Sequence, residues 1–151
     1  MRFLHYRTLA AVGLVLALGP TALKAQRAES PRISTAEMVK ALQLPQAQRP
    51  LVIQIGFRVM FQQAHIPGAE YIGPGSDAAA IEQLRKRMQP VARNKFVVLY
   101  CGCCPWDRCP NVAPAASALA AMGFKNMKVL YIPNDFGTDW ASKGYPVQKG
   151  G

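Results

Sequence analysis

Four cysteines lie close together near the middle of this chain, and they are the residues best suited to chemistry. They are Cys101, Cys103, Cys104 and Cys109. Structural cysteines of small exported proteins are usually spread along the fold, so this clustering indicates a functional site. A cysteine thiolate is both a nucleophile and a metal ligand. The cluster therefore predicts nucleophilic, redox or metal chemistry within one loop.

The cysteine loop is flanked by a strand and a helix. Residues 96–100 form a continuous apolar run, which is typical of a strand buried on both faces. Residues 111–122 are rich in alanine and predict a helix that ends at Gly123. A helix N-terminus presents free N–H groups and the positive end of its dipole, and both stabilise a thiolate or a persulfide anion. Arg108 adds a nearby positive charge, so Cys101, directly after the strand, is a candidate nucleophile.

The remaining elements alternate in type along the chain. A capping-box pattern at Ser34 and Glu37 predicts a helix that ends before Pro45. Asp77 is expected to cap a helix over 78–88, and a last short helix is expected between residues 136 and 141. Apolar β-rich runs predict strands over 51–55 and 127–132. This alternation predicts an α/β fold, with a central, mainly parallel sheet flanked by helices, whose ligands bind beyond the carboxyl ends of the strands.

The N-terminal segment has the layout of a secretory signal peptide. Arg2 and Arg7 precede an apolar run over residues 9–18, and Ala25 offers a small residue for cleavage. The run is shorter than the roughly 20 apolar residues of a membrane-spanning helix. We therefore expect export, to the periplasm if the source is a Gram-negative bacterium. Membrane association is expected only if the leader stays uncleaved.

The segment boundaries follow from this interpretation. The expected organisation is a leader over 1–25, a flexible lead-in over 26–32, a domain over 33–147 and a tail over 148–151. The net charge of +10 at first suggests nucleic acid or an anionic membrane as partner. Part of that charge lies in the leader, and the one basic run, residues 85–87, falls on a helix beside no nucleic-acid motif. Nucleic acid is therefore not an expected partner.

Several short motifs resemble those of the rhodanese family. The first is the stretch His65-Ile66-Pro67-Gly68-Ala69 after an early strand, and the second is Cys101 at the end of a central strand. Residues 122–124, followed by 129–130, resemble the family's helix end and next strand. The closing segment is similar at 139–140 and 143–147. The resemblance spans residues 33–147.

This resemblance implies a sulfurtransferase that carries sulfane sulfur as a persulfide on Cys101. The implied donor is a small sulfur-containing anion such as thiosulfate, the implied acceptor is a thiol or other nucleophile, and no cofactor is expected. Covalent capture on cysteine would divide the transfer into two easier steps. The resemblance assigns an anion-binding loop to Gly102, Trp106 and Arg108, a structural turn to His65, Pro67 and Gly68, and auxiliary roles to the thiols of Cys103, Cys104 and Cys109.

Other interpretations of the cysteines stay open. The C-x-x-C spacing of Cys101 and Cys104 also fits thiol–disulfide redox chemistry, and two of the four thiols could form a structural disulfide. No metal is expected, but four nearby thiolates could bind one. Residues 54–56 read Gln-Ile-Gly where the family usually has Asp-x-Arg, and Trp106 stands where its loop usually has arginine. These departures also fit a catalytically silent binding module on the same fold.

Overall fold

The fold is built on one five-stranded sheet, which the computed structural model describes within residues 30–151. The strand order is β1-β5-β4-β2-β3, and every neighbouring pair is parallel. The strands are β1 (Arg32–Ile33), β2 (Leu51–Gln54), β3 (Glu70–Tyr71), β4 (Val97–Tyr100) and β5 (Met127–Leu130). This architecture confirms the predicted α/β class and its parallel sheet. The predicted leader and most of the lead-in lie outside the described residues.

Within residues 30–151, five α-helices connect and flank these strands. They are α1 (Thr35–Leu42), α2 (Arg58–Gln63), α3 (Ala78–Met88), α4 (Val112–Ala121) and α5 (Phe136–Asp139). Short 3-10 turns lie at Gln46–Gln48, Trp106–Arg108 and Ala141–Lys143. In the part of the chain that the structure describes, no helix combines the length and apolar character needed to cross a bilayer.

Local sequence signals explain where two of these helices begin. The Ser34 hydroxyl accepts a hydrogen bond from the Glu37 N–H, and the Glu37 carboxylate accepts one from the Ser34 N–H. The predicted capping box is therefore present at α1. The Asp77 carboxylate accepts a hydrogen bond from the Ala79 N–H at 2.8 Å, which caps α3 as its sequence predicts.

The sheet separates two apolar cores, because successive side chains of a strand point to opposite faces. On one face, Val97 and Leu99 of β4 pack in a cluster with residues of α3 and α4, such as Leu84 and Leu119. On the other face, Val98 and Tyr100 pack in a cluster with residues of α1 and α5, such as Met38 and Phe136. All four β4 residues are buried, as the continuous apolar run predicts.

Some elements differ from the sequence prediction. Arg32, expected at the end of a flexible lead-in, pairs with Val129 in β1. Neither α2 nor β3 was predicted, because helices and strands this short show too few periods to be recognised. The tail is also anchored, since the backbones of His65 and Gln148 exchange two hydrogen bonds of 2.9 and 2.8 Å.

Candidate active site

The site begins where β4 ends at the carboxyl edge of the sheet. Cys101 follows Tyr100, is buried, and its carbonyl accepts a hydrogen bond from Gln54 Nε2 at 3.4 Å. Gly102 has φ of +72°, and a Cβ at this position would lie 2.8 Å from the Cβ of Phe136. The Gly102 carbonyl accepts a hydrogen bond from the Phe136 N–H at 3.0 Å. Glycine therefore lets the chain turn sharply against α5 directly after Cys101.

The four thiols converge as the clustering predicts, although not equally. The Sγ atoms of Cys101 and Cys103 are 3.1 Å apart, and those of Cys103 and Cys104 are also 3.1 Å apart. The sulfurs of Cys101, Cys103 and Cys109 all lie within 4.8 Å of one another. All four cysteines are free thiols in this structure. The loop thus gathers three sulfurs in one group and leaves Cys104 at its edge.

Asn111 is a site residue to which sequence analysis gave no role. It is fully buried, and its Nδ2 donates to the Sγ of Cys101 at 3.3 Å and to that of Cys103 at 3.7 Å. Its Oδ1 accepts from the Ser76 N–H at 3.0 Å. Asn111 occupies the N-cap position of α4 but makes no side-chain capping bond. The sequence signal for this role was an asparagine between the cysteine loop and the next helix, but asparagine at such a position usually indicates only a helix cap.

Hydrogen bonding distributes charge unevenly among the thiols. The pKa of Cys109 is lowered to about 5, first by a hydrogen bond from Cys101 and further by the N–H groups of Asn111 and Val112. The pKa of Cys101 is raised, first by its hydrogen bond to Cys109 and then by burial. The pKa of Cys104 is raised to about 12, mainly by desolvation. These directions favour Cys109, just before α4, as the thiol that ionises first.

Residues 54–56 support Cys101 although they lack the acid and arginine common in the family. Gln54 is buried; its Oε1 accepts from the Gly56 N–H at 3.1 Å, and its Nε2 reaches the Cys101 carbonyl. A Cβ at Gly56 would lie 3.2 Å from Cys101 Sγ and 2.8 Å from Gln54 Nε2. Glycine at position 56 therefore leaves Cys101 Sγ uncrowded on this side.

Cys101 borders two cavities. The larger measures about 110 Å³ and has a wall without charged groups, made by Gln54, Met60, Gln63, Ala64, Tyr100, Cys101, Phe136, Gly137 and Ala141. The smaller measures about 10 Å³ and is lined by Cys101, Gly102, Cys104, Trp106, Cys109, Val112, Leu130 and Ile132. A space of that size holds roughly one water molecule. Cys101 therefore separates a neutral cavity from an atom-sized space among the thiols.

The residues assigned to an anion-binding loop are placed differently from one another. Gly102 and Trp106 line the small cavity, and the Trp106 ring contacts Tyr131 edge to face at a centroid distance of 5.2 Å. The Arg32 guanidinium lies 5.4 Å from the Trp106 ring centroid. Arg108 is exposed and lines neither cavity beside Cys101. The structure therefore gives Arg108 no place in the wall of either cavity.

The histidine motif lies in the scaffold. His65 is buried, stacks on Phe61 at a centroid distance of 3.8 Å, and its Nδ1 is 2.7 Å from the Phe61 carbonyl oxygen. Pro67 precedes Gly68, which has φ of +76° and whose N–H donates to Gln148 Oε1 at 3.3 Å. These contacts hold α2 and the tail together rather than joining the thiol cluster.

Comparison with known proteins relates this chain to one protein family. A model of the rhodanese-like domain matches residues 35–131, and no curated protein matches. A Bacillus halodurans protein of known structure shares 20% identity, with a TM-score of 0.59, over 80% of this chain and 77% of its own. The rhodanese-like domain of an Anabaena sp. protein shares 18% identity, with a TM-score of 0.56, over 80% of each chain.

A third similar structure is that of a thiosulfate sulfurtransferase from Pseudomonas aeruginosa. It shares 20% identity with this chain, with a TM-score of 0.55. The alignment covers 81% of this chain but only 20% of the Pseudomonas protein, so the likeness concerns one part of that larger molecule. At such low sequence identities, these three structures are evidence of a shared fold only.

Proposed function

Because this chain belongs to the rhodanese-like domain family, which matches residues 35–131, we propose that it is a sulfurtransferase whose sulfur carrier is Cys101. The observation that supports this most directly is the position of Cys101 after the central strand β4, between a cavity and two further thiols. Ligands of parallel α/β sheets bind at this edge. The thiosulfate sulfurtransferase with the same fold agrees in chemistry with the proposal.

Activation of Cys101 requires removal of its proton. In the proposed mechanism a small fraction of molecules passes that proton to the Cys109 thiolate, within 4.8 Å, and one negative charge moves from Cys109 to Cys101; the lowered pKa of Cys109 keeps this fraction small. The amide of Asn111, 3.3 Å from Cys101 Sγ, then stabilises the new thiolate. Cys109 serves as the base, and Cys101 as the nucleophile.

The transfer itself consists of two displacements. The Cys101 thiolate attacks the outer sulfur of thiosulfate; a Cys101–sulfur bond forms, the sulfur–sulfur bond of thiosulfate breaks, and sulfite leaves with the bonding electrons. An acceptor thiolate then attacks the outer sulfur of the persulfide and restores the Cys101 thiolate. The donor anion would meet the side-chain amides of Gln54 and Gln63, because no cation lines the larger cavity.

Intact mass spectrometry after thiosulfate treatment tests the proposal. Reduced, metal-free protein should gain the mass of one sulfur, and Cys101→Ser should gain none. Cys104→Ser is the matched control and should load like the wild type, because Cys104 lies outside the group of three sulfurs. Loading that persists in Cys101→Ser, or that never occurs in the wild type, would overturn the assignment.

Thiol–disulfide exchange is a second candidate, and the 3.1 Å spacing of Cys101 Sγ and Cys103 Sγ favours it. The geometry points to this pair rather than to the C-x-x-C pair of Cys101 and Cys104. Oxidation would remove two hydrogens and form one bond, with a disulfide-bearing partner as oxidant. Peptide mapping after titration with oxidised glutathione tests it: a Cys101–Cys103 disulfide that forms reversibly supports the redox function, and its absence rejects it.

A further inference from the structure

The same thiols have a geometry that sulfur carriage does not require. One carrier cysteine and one base would suffice for the transfer, yet three sulfurs lie within 4.8 Å of one another. A metal–sulfur bond is about 2.3 Å long, so three sulfurs around one ion stand about 4 Å apart. The sulfurs of Cys101 and Cys103 are 3.1 Å apart and all three lie within 4.8 Å of one another, so the cluster is already close to that spacing.

We propose that Cys101, Cys103 and Cys109 form a three-coordinate site for one cuprous ion, Cu(I). All three donors are thiol sulfurs, which are soft ligands and select Cu(I) over harder divalent ions. Two of these ligands, Cys101 and Cys109, also line the space of about 10 Å³, as Cys104 does, and that space gives the ion a place. This site goes beyond the proposed sulfur transfer and does not depend on it.

The grouping of the sulfurs favours three-fold over four-fold coordination. Val112, Leu130 and Ile132 form the apolar side of that space, and they offer no oxygen or nitrogen ligand from their side chains. Cys104 lines the same space but lies outside the group of mutually close sulfurs. Structural zinc sites are almost always tetrahedral, so this arrangement suits Cu(I) better than Zn(II).

Asn111 is the outer-shell partner that such a site needs. Ligands of protein metal sites are usually held by hydrogen bonds from a second layer of residues, and loss of such a partner weakens binding about 10- to 100-fold. Nδ2 of Asn111 donates to the sulfurs of both Cys101 and Cys103, while its Oδ1 is fixed by the Ser76 N–H. The buried amide thus orients two of the three ligands.

A competition titration tests the site. Reduced, metal-free protein is added under anaerobic conditions to Cu(I) held by the coloured chelator bicinchoninate, with no sulfur donor present. The wild type should withdraw one Cu(I) per chain. Cys103→Ser should weaken binding by more than about 100-fold, the upper end for outer-shell partners. Cys104→Ser tests whether a fourth thiol is a ligand and should keep most of the affinity, and Ser117→Ala, on the exposed face of α4, is the control and should bind like the wild type.

Any of three results in the Cu(I) titration would overturn the proposal. They are no withdrawal of Cu(I) by the wild type, equal binding in Cys103→Ser, and a loss in Cys104→Ser as large as that in Cys103→Ser. A parallel titration with Zn(II) and a zinc-binding dye must show weaker binding than Cu(I), since the reverse order contradicts a three-sulfur cuprous site. Asn111→Leu should lower Cu(I) affinity about 10- to 100-fold; if this variant does not fold, the two serine variants decide. Sulfur loading is measured separately, so either function can fail alone.

Discussion

At the scale of single residues, the buried carrier Cys101 and the charge-bearing Cys109 have separate roles. The N–H groups of Asn111 and Val112 donate to Cys109, and Cys101 also donates to it. The pKa of Cys109 is therefore lowered, whereas that of Cys101 is raised. The sulfur that is placed to receive the transferred atom is therefore not the sulfur that holds the charge at rest. A proton must pass between them before Cys101 can act.

This division predicts which thiol reacts first with an alkylating reagent. Because the pKa of Cys109 is lowered to about 5, its thiolate persists as the pH falls from 8 to about 5 and is lost below that. Limited treatment of reduced, metal-free protein with iodoacetamide at pH 6 should label Cys109 ahead of the other three cysteines. Peptide mapping at increasing reaction times measures the order.

Cys104 provides the internal control for this order. It is half-buried, as Cys109 is, but its pKa is raised to about 12, so it should react slowly until the pH is high. Equal labelling of Cys104 and Cys109 at pH 6 would mean that exposure, and not charge, governs reactivity. Labelling of Cys101 first would contradict the prediction that Cys109 is the thiol that carries the negative charge at rest.

At the scale of elements, the capping box of α1 lies beside the first strand of the sheet. Ser34 and Glu37 exchange hydrogen bonds, and Ile33 just before them belongs to β1. Ser34→Ala should lower the thermal unfolding midpoint by about 4 °C, because loss of a helix N-cap leaves backbone N–H groups unpaired. Ser117→Ala, on an exposed face of α4, is the matched control and should leave the midpoint nearly unchanged.

The same contact has a pH dependence with a definite sign. Hydrogen bonds from Ser34 hold the pKa of the Glu37 carboxyl below its ordinary value. The stabilisation is therefore complete above that value and decreases as the pH falls through the lower pKa of the folded state. The difference in midpoint between wild type and Ser34→Ala should shrink in acid; a difference that grows would contradict the cap.

The sequence is informative where a pattern repeats or where one residue type has one use. The buried strand β4 and the cap at Asp77 were predicted from the sequence, and so was the position of Cys101 after a buried strand. The two-residue strand β1 was not, because it has no period and exists through pairing with β5. The role of Asn111 also depends on tertiary structure, since only the folded loop brings its amide to Cys101.

At the scale of the whole molecule, sulfur and copper would compete for one place. Cys101 is both the proposed carrier and a proposed Cu(I) ligand, and the space beside it measures about 10 Å³. That space holds roughly one occupant of the size of a water molecule, so a persulfide sulfur and a metal ion should exclude each other. The redox and metal state of the loop would then determine whether the domain can accept sulfur.

The competition gives a direct prediction for wild-type protein loaded with one Cu(I) and then treated with thiosulfate. Native mass spectrometry should show chains that carry copper or one extra sulfur, but not both. Cys103→Ser is the matched control: it loses a metal ligand but keeps Cys101, Cys109 and Asn111, so it should take up sulfur whether or not Cu(I) is added. Chains that carry both copper and sulfur would show that the two occupants use separate sites, and would remove Cys101 from one of its two roles.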